Sequence, residues 1–231
     1  MALYDRNYSN NTIDSAYTHE AESASVAFMK KTYQLLGASM VSSAMGAYLT
    51  MPYAETIQQF KWFIFGFVML MVFFGFNATR KNHTLHMIAL FVFTFAMGVM
   101  IVPLLAMVIG QGNGMLIGNA FLMTSVLFGA LSLFAINSKS DFSSWGKPLM
   151  VVMIVIFIAS LVNIFILKSP MIHVIVTAGI LLLFSLFTIY DTQNIANGAY
   201  DSPVDAAVSL FLDFFNMFTS ILQLLGIIDG D

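Results

Sequence analysis

Apolar residues in this chain neither alternate nor keep to one helical face; they run in long blocks. Blocks at about residues 31–50, 57–77, 84–108, 115–136, 148–167, 172–193 and 204–227 each approach the roughly 20 apolar residues that a helix needs to cross a bilayer. Short breaks rich in Gly, Pro, Asn and charge separate them: Met51-Pro52-Tyr53, Arg80-Lys81-Asn82, Gly110 to Gly114, Asn137 to Pro148, Lys168-Ser169-Pro170 and Asn197 to Pro203. Connections this short set successive helices antiparallel and side by side. The pattern predicts an all-α integral membrane protein, a seven-transmembrane helix bundle over residues 28–231 preceded by a polar tail at 1–27. In the first block Ala38, Ser42 and Gly46 recur at i+4, a register of small residues that lets two helices approach closely in lipid.

Composition agrees. Of 231 residues, 59% are hydrophobic and 9% charged, where a soluble domain carries about a quarter charged. The tail (Asp5, Arg6, Asp14, Glu20, Glu22) lacks the basic start and short apolar core of a signal peptide, so it is expected to be retained. With the N-terminus cytoplasmic, Arg6, Lys30, Lys31, Arg80, Lys81, Lys139 and Lys147 fall on the inner side and only Lys61 and Lys168 on the outer, which favours that orientation. The expected location is a multi-pass position in the cell inner membrane, with the lipid bilayer as the first partner. A net charge of −3 without a basic cluster excludes nucleic acid as a partner, and the lack of cysteine excludes disulfides and thiolate metal sites. The 23 phenylalanines and 17 methionines are spread through the blocks and read as packing and lipid-facing residues.

Ten of the twelve acidic residues lie in the tail, in loops or at the C-terminus; two do not. Asp191 closes the run from Leu181 to Tyr190, and Asp213 sits inside Leu210-Phe211-Leu212-Asp213-Phe214-Phe215. A carboxylate at membrane depth costs at least about 2.5 kcal/mol and is by default a functional residue. The turn between the last two blocks centres on Asp201-Ser202-Pro203, where Ser202, Pro203 and Asp205 have the form of an N-cap, a first-turn proline and a capping box. Asp191 precedes Ser202 by as many residues as Asp213 follows it. At 1.5 Å rise per residue, each acid stands roughly 10 to 15 Å above the turn, at nearly one depth on adjacent antiparallel helices. Two carboxylates meeting where water is scarce cannot both ionise at little cost, so such a pair would titrate as a unit. Spacing fixes their depth but not their rotation, and the alternative is that each acid separately bonds neighbouring backbone. Arg80 is the available counter-charge, suited to a forked hydrogen bond; its other reading is a plain positive-inside anchor. His83, His86 and His173 lie near block ends and read as interfacial.

Ile189-Tyr190-Asp191-Thr192-Gln193, followed by Leu210-Phe211-Leu212-Asp213-Phe214-Phe215-Asn216, resembles the last two helices of the Bax-inhibitor-one family (transmembrane Bax inhibitor motif proteins) of bacterial type, and the likeness covers nearly the whole chain. The resemblance implies a pH-sensitive calcium leak, not an enzyme and without a cofactor, in which an aspartate pair on helices six and seven controls opening. Carried over, the pair is Asp191 and Asp213, and Arg80 is the latch that holds the helix-six aspartate. Where some relatives have an arginine ten residues after the second aspartate, Gln223 stands here. Calcium takes six to eight oxygen ligands and two aspartates offer at most four, so any calcium at Asp191 and Asp213 would be weakly and transiently held. Two alternatives remain open: a protein that modulates a membrane-bound ATP-dependent protease, as some bacterial members do, and an intramembrane aspartyl protease. The latter shares Tyr190-Asp191 but would carry glycines before the second aspartate, where Leu210, Phe211 and Leu212 stand.

Overall fold

The computed structural model describes the chain fully from residue 23 to 227; beyond those bounds it gives only the helical course from Ala2 and to Ile228. Helix α1 (Ala2–Thr50) leads through a 3-10 turn at Met51–Tyr53 into α2 (Ala54–Leu70), a π-helical turn at Met71–Gly75 and the short α3 (Phe76–Thr79). Then follow α4 (His83–Gly110), α5 (Met115–Asn137), α6 (Gly146–Val162), α7 (Pro170–Ala196) and α8 (Pro203–Ile228). No strand occurs among the described residues. Six helical stretches are long and apolar enough to cross a membrane: Ser23–Thr79, His83–Gly110, Met115–Asn137, Ser143–Leu167, Pro170–Ala196 and Pro203–Ile227. The polar tail at 1–27 falls largely outside the described residues; from Ser23 onward it is already part of α1.

The expected blocks at 31–50 and 57–77 share one near-continuous helical stretch of 57 residues. Straight, it would measure about 85 Å against a hydrocarbon core of about 30 Å. It is not straight. Ser25 Oγ donates to the Ala196 carbonyl at 3.0 Å, while Arg80, just past the other end, pairs with Asp205 at 3.0 Å. Both ends therefore lie beside the α7–α8 turn, and the stretch doubles back at Met51–Tyr53. There Pro52 supplies no amide hydrogen, and Thr50 (φ −104°, ψ 0°) and Tyr53 (φ −106°, ψ 24°) leave helical angles. The expected loop at these residues is thus a tight turn that keeps nearly all its backbone helical.

The core is organised around α4 and α8. Leu90, Phe93 and Val102 of α4 and Leu210, Phe211, Met217 and Leu222 of α8 are buried. Phe93 bridges them edge-on, with Phe76 at 5.5 Å on one side and Phe211 at 6.2 Å on the other. Phe214 turns toward α5, meeting Phe121 and Phe128, each at 5.6 Å. α1 crosses α4 through small residues: a Cβ on Gly98 would collide with the Ser43 carbonyl, a Cβ on Gly46 would collide with the Phe95 carbonyl, and Ser42 Oγ donates to the Phe91 carbonyl at 3.0 Å. The close-packed stripe therefore runs through Ser39, Ser42, Ser43 and Gly46; Ala38, expected to belong to it, is exposed.

Local chemistry ends the helices where the chain must turn. Asn82 Oδ1 accepts from the Thr84 and Leu85 amides at 3.1 and 3.2 Å and starts α4, and Ser169 with Pro170 starts α7. At α8, Ser202 Oγ accepts from the Val204 amide at 3.2 Å, but Asp205 does not close a capping box, because other partners engage it. Replacement of Gly98 by Leu is expected to lower the thermal midpoint in detergent, since overpacking of this kind costs about 1–3 kcal/mol. Gly37→Leu, whose side chain enters open space, is the control that leaves the midpoint unchanged.

Candidate functional site

Asp191 lies in the penultimate turn of α7, and Asp213 stands three turns into α8. Both are buried, at 7% and 2% exposure, and both line one cavity of about 1120 Å³. The antiparallel pairing of α7 and α8 around the short turn at residues 197–202 produces the matched depth. The rotation comes from the turn itself. Tyr200 folds back so that its hydroxyl donates to Asp191 Oδ1 at 2.9 Å, and its oxygen lies 3.0 Å from Ser209 Oγ, one helical turn before Asp213. Burial and the negative charge of Asp191 push the Tyr200 phenol well above its usual range, so it stays a hydrogen-bond donor. Asp191 is therefore held by Tyr200 rather than by a direct bond to Asp213, and Asp213 Oδ2 is buried without a hydrogen-bond partner among the described residues.

The sequence around Asp191 sends four consecutive side chains to four neighbours, as the 100° step of a helix allows. Tyr190 and Asp191 both line the cavity, and the Tyr190 hydroxyl also lies against Gly146, where a Cβ would collide with it. The Thr192 hydroxyl meets Ser132 Oγ of α5 at 3.3 Å. The Gln193 amide grips the α5–α6 connection: Oε1 accepts from the Phe142 amide at 2.6 Å and Nε2 donates to the Ser140 carbonyl at 2.7 Å. Lys147, at the start of α6, and Phe184, on α7, complete the cavity's polar and apolar walls.

Arg80 is not on Asp191. Its Nε and Nη2 donate to Asp205 Oδ2 at 3.2 and 3.0 Å, and Asp201 lies 3.7 Å away. Arg80 emerges after α3 at the level of the first turn of α8, so the nearest carboxylate is the one that begins α8, while Asp191 is occupied by Tyr200. The second oxygen of Asp205 meets Nε2 of His86 at 3.0 Å, and the other nitrogen of that ring lies 3.0 Å from Thr79 Oγ1. His86 is thus buried, at 2% exposure, in a polar network rather than interfacial. Sequence reasoning missed Asp205 and His86. A usable signal existed in the two short turns, which place an acid three residues into α8 and a histidine four residues into α4, next to Arg80.

Gln223 bonds its own helix, Nε2 to the Thr219 carbonyl at 3.1 Å, and lines a separate cavity of about 950 Å³ with Glu55 and His173. Among the described residues no three His, Cys, Asp or Glu side chains converge. The aspartate cavity therefore offers a cation two carboxylates supplemented by hydroxyls, a donor set too sparse for tight calcium binding.

An all-helical architecture with at least six bilayer-length apolar helices and two carboxylates buried in its interior defines a multi-pass membrane protein. Its sequence matches the profile described as "Inhibitor of apoptosis-promoting Bax1" over residues 26–230, and the chain belongs to this Bax inhibitor-1 family. It is similar to an uncharacterized protein of Helicobacter pylori strain ATCC 700392 / 26695, 43% identical over 230 residues that cover 98% of this chain and 97% of that one. An uncharacterized membrane protein of Vibrio cholerae is 32% identical over 204 residues, 88% of this chain and 90% of the relative. The modulator of FtsH protease YccA of Escherichia coli is 31% identical over 150 residues, 65% of this chain and 68% of its own.

The network at the α3–α8 contact has uneven parts. Arg80 is half exposed, and an exposed ion pair is worth about 0–1 kcal/mol. Stripping the partner from buried His86 leaves a ring nitrogen unsatisfied, at a cost of about 1–3 kcal/mol. Asp205→Ala is therefore expected to lower the thermal midpoint distinctly more than Arg80→Gln, measured side by side in detergent.

Proposed function

We propose that this protein is a proton-sensitive cation leak of the cell inner membrane, with calcium as the permeant ion and the Asp191–Asp213 cavity as its control point. The observation that carries this reading is the convergence of two buried carboxylates on one cavity, with a buried oxygen of Asp213 unpartnered among the described residues. A carboxylate pair in a poorly hydrated site exchanges protons as a unit, and loss of a proton leaves negative charge that attracts a cation. Weak ligation suits passage, because an ion that binds must also leave. The ion pair of Arg80 with Asp205 ties the end of α3 to the start of α8 and serves as the latch, one helix away from the site expected for it.

The reading includes seven crossings with the N-terminus cytoplasmic. In support, the stretch from Ser23 to Thr79 returns to the end from which it starts, which makes it two passages. Arg80, Lys81, Lys139 and Lys147 then gather at one end of the bundle, opposite Lys61 and Lys168. A second reading, modulation of a membrane-bound ATP-dependent protease, is favoured by the likeness to the YccA modulator. The two are compatible, since they call on different parts of the chain, the polar tail for a partner and the bundle for ions. A proteolytic role has less support: buried Leu210 and Phe211 stand where an approaching peptide backbone would need glycines.

Calcium flux into proteoliposomes, followed across pH, tests the proposal. Flux is expected to rise as pH rises through the titration of the pair, and Asp191→Asn and Asp213→Asn should each flatten that dependence. Identical pH profiles in native protein and both variants would overturn the reading. Arg80→Gln is expected to raise the resting leak severalfold, because a tie worth about 1 kcal/mol shifts a two-state equilibrium by about fivefold. Deletion of residues 2–22 should leave flux intact and abolish any effect on the protease.

A further inference from the structure

α6 is the one wall of the aspartate cavity with little holding it. It packs principally against α7, and Leu149 is its one buried residue; Val151, Ile154, Val155 and Ile158 are at least half exposed. What fixes it are its two ends, each moored by a side-chain amide that both donates to and accepts from the backbone of a connecting segment. At one end Gln193 of α7 binds Phe142 N–H and Ser140 C=O. At the other Asn163, just past α6, accepts from the Ser169 amide at 3.0 Å and donates to the Ser169 carbonyl at 3.2 Å.

The two moorings differ in reach. The Asn163 end is joined to α7 by the short Lys168–Ser169 connection, with Lys168 in the left-handed region at φ 47°, and Phe165 stacks on Trp62 of α2 at 6.2 Å. The Gln193 end carries the longer connection from Ser138 to Trp145. That connection is internally ordered: the Ser143 amide donates to Asp141 Oδ1 at 2.8 Å and holds this exposed carboxyl below its usual range. It is therefore ordered as a piece up to the start of α6, and two contacts attach it: the Gln193 amide, and Phe142, which is buried with Ala135 of α5 and Ile189 of α7. The cavity lies at this same end, where Ser143, Ser144, Gly146 and Lys147 form part of its rim.

We propose that α6 is the movable wall of the cavity, hinged at Asn163, and that Gln193 is the positioning residue whose two bonds form the catch. Release of the catch lets the start of α6 swing from Tyr190 and widens access to Asp191 and Asp213. Gln193 touches neither acid; it acts through the α5–α6 connection. The inference deepens the cavity reading above and rests on the cavity being the working site. Its test reads distances instead of flux, so failure of the one is distinguishable from failure of the other.

The chain has no cysteine, so spin labels can be attached at chosen positions without background. One pair, Lys81→Cys with Ser144→Cys, reports the catch end; a second, Tyr53→Cys with Ile166→Cys, reports the hinge end. In full-length protein in nanodiscs, Gln193→Leu is expected to lengthen and broaden the catch-end distances by a few ångströms and leave the hinge-end distances unchanged. Gln193→Glu keeps the acceptor for Phe142 but loses the donor to Ser140, and should fall between. Catch-end distances unchanged in Gln193→Leu would overturn the proposal. So would equal shifts at both ends, in either variant, because these mark general loosening of the bundle.

Discussion

The hydroxyl of Tyr200 on the carboxylate of Asp191 is the contact around which the terminal hairpin is arranged. In hydrocarbon there is no water to stabilise a carboxylate, so its partners must come from the protein. Here the partner comes neither from α7 nor from α8 but from the turn between them, and its oxygen also reaches Ser209. The turn thereby fixes how the two helices rotate about their axes. That rotation in turn brings Asp213 to the cavity and sends Thr192 and Gln193 to α5 and the α5–α6 connection.

A division of labour follows between two clusters of acids separated by about two helical turns of α8. Asp205, at the helix start and in reach of water, is ion-paired with Arg80, lies at hydrogen-bond distance from His86, and fastens α3 and α4 to α8. Asp213, deeper and flanked by Leu212 and Phe214, makes no ion pair among the described residues. Among the described residues the arginine ion pair thus stands where it ties helices together, and not at the deeper acid.

Depth was legible in the sequence because helical rise is nearly invariant: counting from Ser202 sufficed to set Asp191 and Asp213 level. Rotation was not, because it depends on a tyrosine in a turn whose conformation no periodicity encodes. The same reason explains Arg80. Its level in the bundle could be counted, but the choice between Asp191 and Asp205 is decided by which carboxylate is already occupied. His86 misled for another reason: a histidine near the end of an apolar block is usually at the interface, and only the return of α3 over α4 buries it. Five of the apolar blocks each match one bilayer-length helical stretch and the first two share another, because Met51-Pro52-Tyr53, which looked like a loop, is a single 3-10 turn.

The origin of Asp191's partner bears on how the protein is made. While only α7 has emerged from the ribosome, its carboxylate has no companion on its own helix, and Tyr200 comes within reach only after the following turn is synthesised. Asp191 is therefore a costly residue for α7 to insert alone, by about 2.5 kcal/mol or more, until the turn follows it.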